Sequence, residues 1–366
     1  MTFSLDDLRR WPDVEAPNLV AVDATDRLLL DEAADAIRAN PDGVLVIDDN
    51  YGALTLGAIA LGARRVRVHQ DSIVGERALA ANAGELTKYR HVTLGDPSLT
   101  GVRVVLWQLP RSLDRVDDVA QWLAGSVSAG AVVYAGGRIK HMTLRMNDVL
   151  REHFETLEVL PARQKSRVLR VQSPRHVAPA AAARDIHTEL GIQLHGAPGV
   201  FAGGLLDIGA RAMLEVLDGA APTATSAVDL GCGSGILSIA LAQARPQLLI
   251  TATDVSAAAV RATEQNVALN GVTTITALQD DAGSSIPRAS VDLVLLNPPF
   301  HTGSTVHTGI ASKLFAAAAR ILKPGGELWT VYNSHLGYRA ELARVVGPTR
   351  EVSRNSKFTV TASVRR

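Results

Sequence analysis

The carboxyl-terminal half of the chain alternates short apolar runs with longer segments of helical length. The short runs are rich in Val, Ile and Leu, which is typical of strands buried on both faces of a sheet. Strands that alternate with helices predict an α/β fold with a parallel sheet. The predicted strands are Ser226–Val228, Leu248–Thr253, Thr273–Leu278 and Val291–Leu296, and the predicted helices are Ile236–Ala244 and Ala257–Leu269, the latter capped by Ser256 and ended by Asn270-Gly271.

The pattern changes after the last of these strands. A helix with one apolar face is stopped by Lys323-Pro-Gly-Gly326, since proline and glycine disfavour its continuation. Two short strands near the end of the chain predict an antiparallel pair that closes the sheet. The predicted elements of this region are helices at Ile310–Leu322 and Leu336–Val346, and strands at Glu327–Asn333, Val352–Asn355 and Phe358–Val364.

The amino-terminal half repeats this pattern. Gly52 precedes Gly235 by 183 positions, and Asp71 precedes Asp254 by the same distance. The repeat predicts two similar domains, although a common α/β pattern produces part of such an echo by chance. Predicted strands of the first half are Val44–Asp48, Arg65–His69, Val102–Trp107, Gly130–Ala135 and Arg167–Val171, the last finishing the domain. The predicted boundaries are a first domain at 1–176, a linker at 177–197 that contains an alanine run, and a second domain at 198–366.

A glycine-rich loop follows the first strand of the second half, Asp229-Leu-Gly-Cys-Gly-Ser-Gly235. Gly231, Gly233 and Gly235 let the backbone pass close to a ligand before a helix begins. A dinucleotide fingerprint needs its third glycine one place later, where Ile236 stands, so the spacing fits a nicotinamide site poorly. A tight turn without a ligand is the alternative interpretation.

Asn297-Pro298-Pro299-Phe300 follows the buried strand Val291–Leu296. The Asn297 side-chain oxygen and the Pro298 carbonyl are two acceptors close together, and the prolines make the turn rigid. Phe300 offers a flat face for a base. Such a turn suits holding a planar amino group for methylation, whereas a proline-punctuated loop is the simpler alternative.

Two further acids stand at strand ends. Asp254 follows the second strand and is placed to accept both hydroxyls of a ribose, while Asp281 follows the third and suits an adenine amino group. Open α/β sheets bind ligands at the carboxyl ends of their strands. Loop, acids and turn therefore predict one site.

At this point the chain resembles the class I methyltransferases that depend on S-adenosyl-L-methionine. More narrowly, it resembles the bacterial ribosomal RNA guanine-N2 methyltransferases built from two fused methyltransferase-like domains. The motifs that carry this resemblance are Asn297–His301, Pro198–Phe201, Leu206–Arg211, Asn333–Tyr338 and Asn355–Phe358, the last two closer to the large-subunit RNA enzyme than to its small-subunit relative. The similarity is strong over 198–366 and weaker over 20–175.

The resemblance implies two tandem Rossmann-like domains and a set of site residues. It places Asn297, Pro298 and Phe300 at the target base. Pro299, His301 and Lys357 are further candidate substrate contacts, Lys357 through a phosphate. It implies S-adenosyl-L-methionine as cofactor and ribosomal RNA as partner. The cofactor-binding residues that it implies are Asp229, Gly231, Gly233, Gly235, Asp254, Asp281 and Asn297, with Phe201 and Asp207 closing over the methionine end.

The first domain is expected to be degenerate. Asn50 and Tyr51 crowd its loop, and Gln108-Leu109-Pro110 stands where the second half has Asn297-Pro298-Pro299. We expect this domain to dock RNA, with support of the second domain as the alternative.

Composition sets further limits. The single cysteine, Cys232, excludes intrachain disulfides and fits the reducing cytoplasm, and it is interpreted as a small spacer, not a nucleophile. The amino terminus lacks the features of a signal peptide, and no apolar stretch is long enough to span a membrane. The histidines show no metal-ligand spacing, so no metal site is expected. The oligomeric state stays open, with a monomer favoured.

The net charge is zero, which argues at first against an RNA partner. Its distribution is uneven, since residues 301–366 hold ten Lys and Arg against three Glu, a balance of +7. Residues 135–175 hold nine Lys and Arg against four acids, a balance of +5, whereas residues 1–60 hold four against twelve, a balance of −8. This asymmetry permits a basic face for phosphates, with scattered solvated charge as the alternative.

Three other functions compete with guanine methylation. Adenine N6 and the amide of a protein glutamine are also planar nitrogens that the same turn suits. A nicotinamide-dependent oxidoreductase shares the sheet but not the glycine spacing, and a non-catalytic RNA-binding protein would not need the second site. His301 is open between proton acceptance, RNA contact and a turn role.

Overall fold

The computed structural model describes residues 3–93, 96–175, 186–189, 191–195, 208–298 and 305–366. It divides into two compact units, Met1–Ala183 and Arg184–Arg366. The predicted linker 177–197 lies largely outside the described residues. Each unit is an α/β domain with its own sheet of seven strands.

The first unit begins with helix α1, whose amino terminus is capped by the side chain of Asp23. Its sheet has the order β3-β2-β1-β4-β5-β7-β6, parallel from β3 to β5 and antiparallel beyond. The bounds are α1 Ala24–Ala39, β1 Val44–Ile47, α2 Ala53–Ala60, β2 Val66–His69, α3 Ile73–Ala83, β3 Tyr89–His91, β4 Val104–Gln108, α4 Leu113–Ser126, β5 Val132–Arg138, α5 Leu144–His153, β6 Phe154–Val159 and β7 Ser166–Pro174.

The second unit starts with a small antiparallel hairpin, β8 and β9, inside the segment predicted as linker. Its main sheet has the order β12-β11-β10-β13-β14-β16-β15. The bounds are β8 Ile186–Glu189, β9 Ile192–His195, α6 Ile208–Leu214, β10 Ser226–Leu230, α7 Ile236–Ala244, β11 Leu249–Asp254, α8 Ala257–Leu269, β12 Ile275–Gln279, β13 Val291–Leu296, α9 Thr305–Ile321, β14 Leu322–Asn333, α10 Arg339–Val345, β15 Thr349–Arg354 and β16 Phe358–Val364.

The two sheets have the same topology. In each, the first central strand pairs in parallel with its two neighbours, β1 with β2 and β4, and β10 with β11 and β13. Each sheet ends in two antiparallel strands, which are β7 and β6 in the first unit and β16 and β15 in the second. The prediction of two tandem Rossmann-like domains is therefore confirmed.

Both faces of each sheet are covered by apolar side chains. Along β13, Leu293 and Leu295 join one core cluster, while Val294 and Leu296 join the other. This alternation follows from the two-residue period of a strand, and it explains why the sequence shows a continuous apolar run. Helix α7 contributes Ile239 to the first cluster, and α9 contributes Phe315 to the second.

Several boundaries differ from the sequence prediction. The helix α9 begins at Thr305 instead of Ile310, and β15 spans Thr349–Arg354 instead of Val352–Asn355. β14 begins at Leu322, not at Glu327, because Lys323–Gly326 forms an irregularity within the strand after the helix ends. The register moves there from Val291 opposite Leu322 to Leu293 opposite Glu327. α10 begins at Arg339 instead of Leu336, since a short 3-10 turn precedes it.

Candidate active site

Three loops leave the second sheet side by side at the carboxyl ends of its strands. Leu230 on β10 pairs with Thr253 on one side and with Leu296 on the other. Gly231, Asp254 and Asn297 each follow one of these paired residues. Neighbouring strands are about 4.8 Å apart. The structure therefore brings together the glycine loop, Asp254 and the acceptor turn, which begins at Asn297.

The glycine loop has the backbone that the sequence predicts. Gly231, Gly233 and Gly235 have φ of 79°, 56° and 80°, the left-handed region that favours glycine. A Cβ placed on Gly231 or Gly233 would meet no atom within 4 Å, whereas on Gly235 it would lie 2.8 Å from Cγ2 of Thr263. The first two glycines therefore border open space, and the third permits close packing against α8.

Helix α8 holds this loop from behind. Oγ1 of Thr263 donates to the carbonyl of Gly233 at 3.1 Å, and Nδ2 of Asn266 donates to the carbonyl of Ser234 at 2.9 Å. Oδ1 of Asn266 also accepts from the backbone of His195 at 2.7 Å. Both side chains are fully buried. The motifs of the sequence do not include Thr263 and Asn266, although two polar residues three positions apart on an alanine-rich helix are a usable signal.

Cys232 lies in this loop as a buried thiol, 3.3 Å from Oγ1 of Thr263. Burial raises its pKa well above the ordinary value, with the negative charges of Asp254 and Asp229 adding to the effect. The thiol therefore stays protonated, in agreement with its interpretation as a spacer.

Asp229 is buried beneath the loop, with 1% of its surface exposed. Its Oδ2 accepts from Oγ of Ser238 at 2.7 Å, while its buried Oδ1 has no hydrogen-bond partner within the described part of the chain. Burial raises the pKa of Asp229 to about 6, opposed by Ser238 and reinforced by the charge of Asp254. A buried acceptor of this kind is expected to meet a donor from a ligand.

Asp254 joins the glycine loop to the second strand. Its Oδ2 accepts from the backbone of Gly233 at 3.1 Å, and its Oδ1 accepts from the backbone of Ser256 at 2.9 Å. The oxygen of Ser256 in turn caps α8 by accepting from Ala259. One carboxylate thus fixes the loop and the start of the helix that supports it.

Two aspartates, Asp280 and Asp281, follow β12 and have different roles. Asp280 accepts from the backbone of Asp281 at 2.9 Å and from the backbone and hydroxyl of Ser285 at 3.0 and 2.9 Å, so it shapes the turn. Asp281 instead points its carboxylate at Lys313 on α9, whose Nζ is 2.7 Å away. Lys313 cannot be predicted from the sequence, because a lone lysine on an alanine-rich helix gives no local signal.

The acceptor turn is described in part. Asn297 is half-buried and Pro298 is buried directly after β13. Pro299, Phe300 and His301 lie outside the described residues, as do Phe201 and Asp207, so their predicted roles stay predictions.

Lys357 lies at the same edge of the sheet. It precedes Phe358, which pairs with Asn333 where β14 ends, and its side chain is exposed. Its backbone nitrogen donates to Oδ1 of Asn355 at 2.9 Å, which orders the turn. Lys357 therefore stands at the rim, two strands away from Asn297.

In the corresponding loop of the first unit, Tyr51 is held by contacts with other side chains. Oη of Tyr51 donates to Oδ2 of Asp13 at 2.6 Å, and the guanidinium of Arg10 lies 4.5 Å from the centre of the tyrosine ring. Asn82 donates to the carbonyl of Tyr51 at 2.8 Å. Asn50 and Tyr51 thus place larger side chains in this loop, at the positions that stand 183 residues before Gly233 and Ser234.

Two other expectations concern metals and membranes. Asp117, Glu152 and His153 lie close enough together to share an ion, but exposed acidic groups of this kind do not define a metal site by themselves. The expected absence of a metal stays a prediction. Among the helices that the structure describes, none has both the length and the apolar content needed to cross a bilayer.

The sheet topology, the glycine loop and the row of strand-end acids define a class I methyltransferase that uses S-adenosyl-L-methionine. A solved structure with the same two-domain fold is the T. thermophilus 16S rRNA N2 G1207 methyltransferase (RsmC) in complex with AdoMet and guanosine. The TM-score is 0.75 over 92% of each chain, at 22% sequence identity.

The sequence comparisons then identify the family. Residues 191–362 match the methyltransferase small domain, and residues 2–175 match the RLMG N-terminal domain. A ribosomal RNA large subunit methyltransferase G from Magnetococcus marinus is 35% identical, and one from Shewanella amazonensis is 33% identical. Each alignment covers 98% of this chain and 96% of the relative. The chain belongs to this family, which sets aside the nicotinamide oxidoreductase and the non-catalytic RNA-binding protein.

Proposed function

We propose that the second unit transfers a methyl group from S-adenosyl-L-methionine to the exocyclic N2 amine of a guanine in ribosomal RNA. The observation that carries this proposal is the pairing of Leu230 with Leu296, which sets Asn297 beside Gly231. The curated relatives are named for ribosomal RNA methylation, and the structural neighbour is named for methylation at guanine N2.

The residues present fit the cofactor. The open space beside Gly231 and Gly233 admits a ligand against the loop, and the unmatched Oδ1 of Asp229 suits the ammonium group of the methionine end. Asp254 ends β11 beside the glycine loop and is proposed to hold the ribose, and Asp281, in the loop after β12, is proposed to meet the adenine amino group. When bound, the cofactor supplies a methyl group on a positively charged sulfur, which keeps the bonding electron pair after transfer.

Asn297 and Pro298 would hold the acceptor amine. The guanine amine is a poor nucleophile, because its lone pair is delocalised into the ring. Two acceptors, Oδ1 of Asn297 and the carbonyl of Pro298, favour a more tetrahedral nitrogen and so free the lone pair for the methyl carbon. This stabilises the transition state more than the bound base. The nitrogen becomes acidic as its new bond to carbon forms, and its proton passes to water or to His301.

We assign RNA docking to the first unit. It keeps the sheet of a methyltransferase, but the loop that corresponds to the glycine loop carries Tyr51, which contacts Asp13 and Arg10. A positively charged stretch, residues 135–175, supplies side chains for phosphate. Support of the second unit is the alternative role.

Labelled cofactor and nucleoside analysis test the proposal. The full chain is incubated with methyl-labelled S-adenosyl-L-methionine and a mixture of unmodified ribosomal RNA and protein. The RNA is then digested to nucleosides. Label in N2-methylguanosine is the expected result. Label in N6-methyladenosine, or in glutamine of the protein fraction alone, would overturn the assignment of the acceptor.

A further inference from the structure

A small cavity of about 170 Å³ lies in the first unit, at the carboxyl ends of β4 and β5. Its apolar walls include Leu109, Pro110, Met142 and Met146. None of these residues has a part in the cofactor site. Ligand pockets for drug-sized molecules have volumes of about 300–1,000 Å³, so this cavity suits a single flat ring system.

The cavity has a counterpart in the second unit. Trp107 pairs with Ile47 as Leu296 pairs with Leu230, so the turn after β4 occupies the position of the acceptor turn after β13. The backbone of Leu109 donates to the carbonyl of Gly136 at 2.8 Å, which holds that turn against β5. The first unit has thus lost the cofactor loop but keeps a hollow where its copy would hold a base.

Cationic side chains surround the mouth of the cavity. Arg111 is exposed, and its Nη2 lies 3.1 Å from Nε2 of His141. Arg138 lies 3.9 Å from a carboxylate oxygen of Asp23, with both side chains about a third exposed, so the pair is weak and leaves the guanidinium accessible. Lys140 is exposed next to His141.

Other titratable groups at the mouth do not cancel this charge. The pKa of His141 is lowered by partial burial and by the positive charges of Arg111, Lys140 and Arg138. Its ring is therefore mainly neutral at pH 7. Asp26 accepts from Nε2 of Gln108 at 2.5 Å, and burial raises its pKa to about 7, so its carboxyl carries only part of a negative charge at neutral pH.

We infer that this cavity binds one unpaired nucleotide of the RNA substrate, with the base against the apolar walls and the phosphate on Arg111 and Arg138. A flat aromatic ring with an attached anion matches both halves of the cavity. Planar guanidinium groups bind phosphate and stack on bases. The inference rests on the proposed function only in taking RNA as the substrate.

Two variants separate the base from the phosphate. Gly137 lines the cavity on β5, and a Cβ placed there lies 3.2 Å from Cγ of Met142 and 3.7 Å from Cβ of Leu109. Gly137→Val therefore fills the cavity without changing charge. Arg111→Ala with Arg138→Ala removes the phosphate contacts. Arg38→Ala with Arg64→Ala removes the same charge near Asp35 and Asp42, at other positions of the same unit.

Fluorescence anisotropy measures binding of the full chain to a labelled single-stranded RNA of mixed sequence, and to the same strand in a duplex. The paired arginine variant should bind the single strand about tenfold more weakly. Its salt dependence should also flatten by about 0.7, the value for one neutralised phosphate on a single strand. Gly137→Val should bind about fivefold more weakly with an unchanged salt dependence. The control pair should behave as wild type.

Circular dichroism melting first shows that the variants are folded, so that a change in RNA affinity reports on the cavity. The inference is overturned if both cavity variants bind like the control pair, or if wild type prefers the duplex. Nucleoside analysis of the methylated product is independent of these measurements. Loss of RNA binding without any N2-methylguanosine from wild type would reject the proposed acceptor and keep the cavity assignment.

Discussion

Nζ of Lys313 lies 2.7 Å from each carboxylate oxygen of Asp281. The lysine is on α9, the helix that follows the acceptor turn in the chain, and the aspartate is in the loop after β12. The ion pair thus connects the element that leads away from the proposed base site with the loop proposed to meet the adenine of the cofactor.

Replacing Lys313 should destabilise the second unit through the carboxylate that it leaves behind. Asp281 is largely buried, so Lys313→Met should lower the free energy of unfolding by about 1–3 kcal/mol, and adding Asp281→Asn should restore much of the loss. Urea denaturation measures both. Lys323→Met is the matched control, because its partner Asp292 is more exposed and also accepts from Thr225 and Ser226. Equal losses for both lysines would contradict this account.

The glycine loop can be tested with a strain-matched pair of substitutions. Gly233 and Gly271 have φ of 56° and 64°, and a Cβ on either meets no atom within 4 Å. Gly233→Ala and Gly271→Ala should therefore each cost about 1 kcal/mol of stability. Only Gly233→Ala should also raise the Kd for S-adenosyl-L-methionine, by about tenfold or more, because its methyl group enters the space of the ligand. Calorimetric titration of both variants decides the point.

Cofactor affinity should depend on pH through Asp229. Burial raises the pKa of this carboxyl from its ordinary 3.8 to about 6, so it gains a proton as the pH falls through 6. If its carboxylate holds the cofactor ammonium, affinity is full above that pH and decreases below it. The Kd should rise about tenfold between pH 7 and pH 5. Asp229→Asn should bind weakly at both values, and a pH response that survives this substitution would assign the effect elsewhere.

The acceptor turn should affect turnover and not cofactor binding. Asn297→Ala removes one of the two acceptors proposed for the guanine amine, so kcat should fall about 10²–10³-fold. The Kd for the cofactor, measured by calorimetry, should stay close to that of wild type. Wild-type turnover by this variant would refute the proposed role.

Each chain should bind a single cofactor molecule. In the loop of the first unit, Tyr51 contacts Asp13 and Arg10, and two of the three glycines of the second unit's loop are absent. Titration of wild type should therefore give a stoichiometry near one, and Asp229→Asn should show no remaining tight site. Two binding events per chain would show that the first unit opens to admit the ligand.

Local signals explain which elements the sequence predicts well. α7, α8 and β13 have the predicted bounds, because an apolar run or a cap such as Ser256 acts on its own neighbours. The sequence predicts the start of β14 at Glu327, five residues after its position in the structure at Leu322. Its irregular start depends on pairing with β13, which no feature of Lys323–Gly326 announces.

The same distinction holds for the site. The glycine loop and Asp254 are found in the sequence because each follows a strand directly. Thr263, Asn266 and Lys313 are missed because each acts on a residue about thirty positions away. Such contacts exist only after the strands and helices have packed.

Asp48 and Gly52 have φ of 57° and 92°, so the loop of the first unit follows the left-handed turns of Gly231 and Gly235. Asn50, which stands 183 positions before Gly233, does not have a positive φ, so the middle of the loop follows a different path. Rebuilding a nucleoside pocket in this copy would therefore require a change of main-chain conformation at Asn50 as well as a smaller residue in place of Tyr51.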